Sequence, residues 1–284
     1  NLIKKNLIGL DFHDTLVPNI IQRKILENPK WYTSYTPYQS EISQGRLEAQ
    51  FNFQTLITEL TGLTVANISL LDSGSAACEA LNMSYNISKG GKNKYFVADK
   101  MHPIILDIIT TRANILGIDL IIDNPNNIEI GEDLFGFMFS YPDNIGEINE
   151  YNDLLSELKK NKTIISCHSD LLSLLILKSP AEIGADISFG TAQRFGVPLW
   201  FGGPHPAFFS TKKEYIRLVP GRIIGKTIDK ENQECYRITL QTREQHIKKD
   251  KATSNICTSQ SLLSVVASMY AIYHGKNGLL SISN

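Results

Sequence analysis

Residues 71–77, with the sequence LDSGSAA, form a turn of small and polar residues that opens a predicted helix. Gly74 allows a tight backbone turn, and the free amides at the start of a helix bind anions such as phosphate. The hydroxyls of Ser73 and Ser75 are possible further donors to the same anion. The same residues also suit a simple N-cap, in which Asp72, Ser73 or Ser75 satisfies the first helical amides. From these residues alone, the N-cap is the simpler interpretation.

A second segment, residues 190–205, contains GTAQRFGVP and then GGPH. Glycines and prolines between two predicted strands indicate a close approach to a ligand or another chain, and a tight connection explains them equally well. His102 and His205 are typical of hydrogen-bonded structural histidines. The spacing of the six histidines predicts neither a Ser/His/Asp triad nor a metal site.

Two further segments lack the periodic apolar pattern of a core element. Residues 31–46, WYTSYTPYQSEISQGR, are polar and aromatic, and residues 241–257, QTREQHIKKDKATSNIC, carry many hydrogen-bonding groups and few apolar anchors. Such segments are solvated loops or binding loops mounted on a rigid sheet. Composition alone does not separate these two interpretations.

The bulk composition describes an ordinary globular chain. Of 284 residues, 42% are hydrophobic and 20% charged, and the formal net charge is -1. This balance predicts neither nucleic-acid binding nor attraction to an anionic membrane, and no apolar run is long enough for a membrane span. The four cysteines lie far apart and form no CxxC pair. This spacing predicts neither disulfides nor a zinc site, and it favours a reducing compartment.

Apolar runs alternate with helical patterns, which predicts an α/β fold with a largely parallel sheet. Apolar residues between Phe53 and Leu60 recur at helical spacing, and Gly62 follows as a helix stop. Further helices are predicted at 104–116, 150–159 and 259–273. Strands are predicted at 95–98, 119–122, 135–140, 163–167, 186–190 and 207–210.

Several long segments of the chain are distinctive: in order, they are IGLDFHDTLVPNII, WYTSYTPYQSEISQGRLEAQFNFQT, LLDSGSAACEAL, TAQRFGVPLWFGGPHPAFF, LQTREQHIKKDKATSNICTSQ and YAIYHGKNGL. Together they resemble the glycine cleavage system P-protein family. These motifs are long and unusual, and together they span nearly the whole chain.

The resemblance implies a fold-type I pyridoxal-phosphate enzyme with a mostly parallel sheet flanked by helices. It implies decarboxylation of glycine through a pyridoxal phosphate aldimine and transfer of the aminomethyl group to the lipoyl arm of H-protein. A mitochondrial matrix would suit a eukaryotic source and the cytoplasm a bacterial one. By this resemblance, residues 1–46 are an amino-terminal arm with an aromatic loop, and residues 47–284 are a large α/β domain, incomplete at its carboxyl end.

The family has two related halves, and only the carboxyl-terminal half carries the lysine that forms a Schiff base with the cofactor. Here the matching position is Gln193, and an amide nitrogen is not nucleophilic enough to form an imine. The aspartate expected against the pyridine nitrogen falls at or beside Cys167, with His168 and Asp170 nearby. The resemblance therefore identifies the half without the lysine, whose partner is the lysine-bearing half or subunit.

The chain departs from the usual family pattern at three positions. Asp11 stands where a glycine is expected, Ser73 where an acidic residue is expected, and Trp200 where a smaller residue or glycine is expected.

Since fold-type I sites lie between two protomers, we expect this half to complete its partner's active site. Polar donors would bind the phosphate of the partner's cofactor, and aromatic and arginine side chains would shape the entrance for glycine or the lipoyl arm. The phosphate donors are Thr253, Ser254 and Asn255, and the entrance residues are Tyr32, Tyr35, Tyr38, Arg46 and Arg243.

Two alternatives stay open at this point. The chain could be a non-catalytic dimerisation scaffold that makes no contact with the reactants. It could also be an independent pyridoxal-phosphate enzyme that uses another lysine, such as Lys178 or Lys226, although neither matches the family's cofactor position.

Overall fold

The computed structural model describes residues 9–32, 38–88, 91–200, 202–252, 254–256 and 259–284, without the side chain of Arg243. Tyr35 and Thr253, and also Cys257, lie outside these ranges.

The helices and strands alternate along most of the chain. The α-helices are α1 (Asn19–Ile21), α2 (Pro29–Tyr32), α3 (Gln44–Thr61), α4 (Ser73–Ile87), α5 (Pro103–Leu116), α6 (Asn152–Lys160), α7 (Pro180–Ile183), α8 (Gln245–Lys248) and α9 (Ser261–Ser283). The strands are β1 (Val65–Ala66), β2 (Lys94–Ala98), β3 (Asp119–Asp123), β4 (Leu134–Tyr141), β5 (Ile164–Ser169), β6 (Ile187–Thr191), β7 (Ala207–Thr211), β8 (Ile223–Ile228) and β9 (Glu234–Thr239).

Seven strands form one sheet in the order β1-β7-β6-β5-β4-β2-β3. The five strands from β3 to β6 are parallel to one another, whereas β7 runs antiparallel to both β6 and β1. The carboxyl ends of the parallel strands and the amino end of β7 therefore lie at one edge. Strands β8 and β9 pair separately as an antiparallel hairpin.

Helices cover both faces of this sheet, so its parallel strands are buried on two sides. On one face, α4 and α5 pack through residues such as Ala77, Leu81 and Ile109. On the other face, α3, α6 and α9 pack through residues such as Phe53 and Val266. The prediction of a mostly parallel sheet flanked by helices is confirmed.

Most sequence-predicted elements match the structure within a few residues. The small strand β1 and the β8–β9 hairpin were not predicted. The last helix was predicted to end before Gly275, and this prediction is wrong. Helix α9 bends at Gly275, where φ is 60° and ψ is -178°, and then continues to Ser283. Helix α3 crosses the expected boundary between residues 46 and 47. Among the described helices, none is both long and apolar enough to cross a bilayer.

Gly190 in β6 provides a test of how tightly the sheet edge is packed. A Cβ atom added there would lie 2.2 Å from the backbone oxygen of Ser169. We therefore expect Gly190→Ala to lower the free energy of unfolding by about 1–3 kcal/mol, because neighbouring backbone must shift. Gly45 is the matched control, since nothing lies within 4 Å of its added Cβ. Gly45→Ala should raise stability by up to about 1 kcal/mol, and urea unfolding measures both. Equal effects of the two variants would contradict the assigned packing.

Candidate functional site

The sheet topology brings four polar side chains to one edge. His102 follows β2, His168 lies near the end of β5, Gln193 follows β6, and His205 precedes β7. Their convergence follows from the shared direction of the parallel strands and from the reversal of β7. In open α/β sheets this carboxyl edge is where ligands bind.

The chain's own amino-terminal segment, residues 9–15, fills this edge. The Phe12 ring stacks on His205, with ring centroids 4.7 Å apart and an interplanar angle of 20°. His205 Nε2 donates a hydrogen bond to the backbone oxygen of Asp11 at 2.9 Å, and Thr15 Oγ1 donates to Val197 O at 2.7 Å. We refer to residues 9–15 as the plug segment.

Gln193 is fully buried and holds the plug segment through its side-chain amide. Its Nε2 donates to His13 O at 2.6 Å and to Val197 O at 2.7 Å, and its Oε1 accepts from His13 N at 3.2 Å. One amide hydrogen and the carbonyl oxygen thus hold the plug segment, and the second amide hydrogen bonds to Val197 O in the loop that follows β6. The position predicted to replace the lysine has a structural role here.

The carboxylate of Asp11 lies among histidines and one hydroxyl. Ser73 Oγ donates to Asp11 Oδ2 at 3.2 Å, and ring nitrogens of His13, His168 and His205 lie 3.8, 3.7 and 3.9 Å from its oxygens. Burial by itself raises the pKa of Asp11, but the contacts with His13, His168 and His205 outweigh it and hold this pKa well below the usual value. Across the described ranges, no group of three or more His, Cys, Asp or Glu side chains is arranged to hold a metal ion.

Hydrogen bonding fixes how the His168 ring is oriented. Ser140 Oγ donates its single hydrogen to Pro142 O at 2.8 Å, so it accepts from His168 Nδ1 at 2.9 Å. The other ring nitrogen, Nε2, then faces Asp11 and has no hydrogen-bond partner among the described residues. His102 meets the same ring edge-on, with centroids 5.4 Å apart.

Two residues, Cys167 and Asp170, lie at or near the position where an aspartate is expected against the pyridine nitrogen. Cys167 is buried in the core, and burial raises the pKa of its thiol to about 12. Asp170 forms an ion pair with Arg194. Gln193 carries no amine, and the plug segment fills the pocket around it, so the residues present here do not fit a bound pyridoxal phosphate.

At the start of α4, the structure supports the N-cap interpretation. Asp72 caps the helix, with its side chain accepting from Ser75 N at 2.7 Å. Ser73 donates to Asp11 and is buried. Positions 11 and 73, where the resemblance predicts a glycine and an acidic residue, are therefore in direct contact.

The predicted phosphate donors lie elsewhere, on a loop against α4 and α5. Ser254 and Asn255 line a cavity of about 320 Å³ with Glu79 and Arg112, and this cavity includes none of the residues around Gln193. Ser254 Oγ accepts from Ile256 N at 3.3 Å and also bonds to Glu79. Burial raises the pKa of Glu79 to about 7, against the lowering effects of Ser254 and Arg112.

The predicted entrance residues do not form one cluster within the described chain. Arg222 stacks on Tyr38, with its guanidinium carbon 3.8 Å from the ring centroid, and the Tyr38 hydroxyl lies 2.6 Å from Ser259 Oγ. Arg46 Nη2 donates to Ser43 Oγ at 2.7 Å. Tyr32 is half-exposed at the end of α2. Tyr35 and the Arg243 side chain lie outside the described part.

Comparisons with known proteins decide the family. The sequence pattern of the family described as glycine cleavage system P-protein matches residues 1–284. The chain belongs to the glycine cleavage system P-protein family. It is 50% identical over 283 residues to a glycine dehydrogenase (decarboxylating) of Synechocystis sp., covering all of this chain and 29% of that protein. A mitochondrial glycine dehydrogenase (decarboxylating) of Dictyostelium discoideum is also 50% identical, again over 29% of its length.

Solved structures agree with this P-protein assignment. A crystal structure of glycine decarboxylase (P-protein) in inhibitor-bound form superposes with a TM-score of 0.92 and 33% identity, over 99% of this chain and 65% of that one. A cysteine desulfurase from Thermococcus onnurineus shares the fold alone, with a TM-score of 0.62 and 11% identity, over 96% of this chain and 67% of that one. The fold-type I prediction is confirmed. The chain spans 29% of the length of the curated P-protein relatives named above.

Sequence reasoning identified Gln193 but missed the plug segment as its partner and the carboxylate of Asp11 among the histidines. The available signal was the aspartate at a position where the P-protein family resemblance predicts glycine. At Asp11 φ is 70°, a backbone conformation that glycine adopts freely.

Stability of the plugged edge should depend on pH. Burial lowers the pKa of both His102 and His205. Below about pH 6.5 these two histidines bind protons in the unfolded chain but stay neutral in the folded one. Acidification therefore favours the unfolded chain, and the free energy of unfolding falls as the pH drops below that value. We expect the opening free energy of β6 amides, measured by native-state hydrogen exchange, to fall between about pH 7 and about pH 5.

His205→Gln should flatten this pH dependence, because glutamine can keep a donor toward Asp11 O and does not titrate. His246, whose side chain is 53% exposed, gives the control His246→Gln. An equal change of slope in both variants would show that His205 is not responsible.

Proposed function

We propose that this chain acts in glycine decarboxylation as the half of a P-protein that lacks the lysine and completes the active site of the lysine-bearing half. The observation that carries the proposal is Gln193, which is buried and bonded to the plug segment on both sides of its amide. Because a glutamine amide does not form an imine with an aldehyde, the covalent step must occur on another half or subunit.

The cofactor of the proposed reaction is pyridoxal phosphate, held by the lysine-bearing half. When bound there, it supplies an electron sink for the carbanion left by loss of carbon dioxide. The substrate is glycine, and the aminomethyl group passes to the lipoyl arm of H-protein. Membership of the P-protein family and the likeness to an inhibitor-bound glycine decarboxylase support this assignment.

Within this proposal, the loop containing Thr253, Ser254 and Asn255 supplies donors to the partner's phosphate. The Ser254 hydroxyl already bonds to Glu79, so it is less available than a free serine hydroxyl as a donor to the phosphate. The exposed Asn255 keeps its amide at the cavity surface. We therefore assign phosphate contact to Asn255 and Thr253, with Ser254 shaping the turn.

The aromatic loop and two arginines are proposed to line the entrance for glycine or the lipoyl arm. Tyr38 is fixed by Arg222 and Ser259 and so serves as the rigid base of that loop. Arg46 bonds to Ser43 at the start of α3 and is a candidate partner for a carboxylate. Tyr32, Tyr35 and Arg243 complete this proposed set.

The non-catalytic scaffold is the second candidate, and it differs in making no contact with the cofactor. An independent enzyme is disfavoured by the surroundings of the other lysines. Lys178 Nζ lies 2.7 Å from Glu150 Oε2, and Lys226 Nζ lies 2.6 Å from Glu234 Oε1. Each of these lysines is engaged with a carboxylate outside the Gln193 pocket.

Replacing the loop donors distinguishes a contributing half from a scaffold. In the full-length protein, Thr253→Ala combined with Asn255→Ala should weaken pyridoxal phosphate binding by about tenfold or more, because each hydrogen bond to a charged group contributes about 1.5–3 kcal/mol. Cofactor titration by absorbance measures this. The exposed Asn126 provides the control Asn126→Ala. Unchanged cofactor affinity in the double variant would favour the scaffold.

Restoring a lysine should not restore a cofactor site in this half. We expect Gln193→Lys in the full-length protein to give no borohydride-reducible adduct on peptides of this chain, because the plug segment still fills the pocket. Peptide mass spectrometry after reduction locates the adducts, with the lysine-bearing half as the positive control. A stoichiometric adduct on this chain in the wild-type protein would contradict the proposed function.

A further inference from the structure

We propose that the edge pocket is a carboxylate-binding site and that Asp11 is its internal ligand, supplied by the chain itself. The site is formed by Ser73, His168 and His205, with Gln193 holding the backbone on which the carboxylate is mounted. This inference goes beyond the proposed function, since it concerns a pocket that takes no part in the partner's chemistry.

Three separate elements surround the carboxylate, and Ser73 supplies its hydrogen-bond donor. Ser73, the first residue of α4, donates to Asp11 Oδ2 at 3.2 Å. His168 on β5 and His205 before β7 approach the same oxygen at 3.7 and 3.9 Å. The side chain of Asp11 is only 12% exposed. An anion is favoured at the amino end of a helix, where the amide dipoles point toward it.

The backbone conformation at Asp11 indicates that its side chain contributes favourably to the stability of the plug segment. Gly9, Leu10 and Asp11 have φ values of 65°, 55° and 70°. A side chain in this left-handed region is unfavourable relative to glycine. Asp11 therefore persists in a conformation that glycine would adopt with less strain, which is expected where the carboxylate itself is bound.

The pocket has room for one negative charge, and that charge need not come from position 11. A second carboxylate beside Asp11 would be buried next to a like charge, which disfavours ionisation of both. Ser73 already touches Asp11, so a longer acidic side chain at position 73 would place its carboxylate among the same histidines. A carboxylate supplied from α4 should thus replace one supplied by the plug segment.

The test removes the carboxylate and then supplies it in two other ways. In the full-length protein, Asp11→Gly should speed hydrogen exchange of amides in residues 9–15 by roughly ten- to hundredfold, since the hydrogen bond from Ser73 to a charged group is lost together with the histidine contacts. Adding formate, against chloride at equal ionic strength, should slow that exchange again. The double variant Asp11→Gly with Ser73→Glu should exchange within about threefold of wild type, whereas Ser73→Glu alone should exchange faster than wild type at neutral pH.

Two further variants keep the test decisive. Asp11→Asn retains the shape of the side chain and removes only its charge. Its hydrogen exchange in residues 9–15 should therefore be as fast as that of Asp11→Gly, but formate should not slow it, because no cavity is left for the anion. Asn232, a left-handed residue at φ 61° in the turn between β8 and β9, gives the control Asn232→Gly, which should leave exchange of the plug segment unchanged. Wild-type exchange in Asp11→Gly would overturn the proposal. Faster exchange that neither formate nor Ser73→Glu reverses would also overturn it.

Discussion

The pairing of Gln193 with the backbone of His13 is the interaction on which the edge of the sheet depends. A pocket formed by the ends of several strands and the start of a helix contains many polar groups, and buried polar groups without partners are costly. The side-chain amide pairs with both backbone polar groups of His13, accepting from its N–H and donating to its C=O. With His13 held there, Asp11 lies among the histidines and Phe12 stacks on His205.

This arrangement depends on the direction of one strand. Because β7 runs antiparallel to β6, the chain returns to the same edge that it left after β6. His205 therefore faces Asp11 although 194 residues separate them in sequence. A parallel β7 would have placed the residues preceding it at the opposite edge. The antiparallel direction of β7 thus determines that His205 is part of the pocket.

The sequence predicted the sheet well because its strands are short apolar runs buried on both faces, such as Phe135 to Ser140 within β4. A motif drew attention to Gln193, but the sequence did not predict its hydrogen-bond partners. The plug segment was not predicted, because its contacts join residues about 180 positions apart and follow no periodic pattern. The bond between Ser254 and Glu79 on α4 was not predicted for a similar reason, since it depends on tertiary packing.

The cation–aromatic pair of Arg222 and Tyr38 has a consequence for interface specificity. Arg222 bonds to Glu244 at 3.3 Å as well as stacking on Tyr38, so one guanidinium links two polar segments that are distant in sequence, residues 31–46 and 241–257. A planar guanidinium stacks on a ring through its face while the N–H groups at its edge bond a carboxylate. Arg222 therefore holds Tyr38 and Glu244 in fixed positions relative to each other within this chain. Side chains that are already ordered lose less conformational entropy when another surface binds to them.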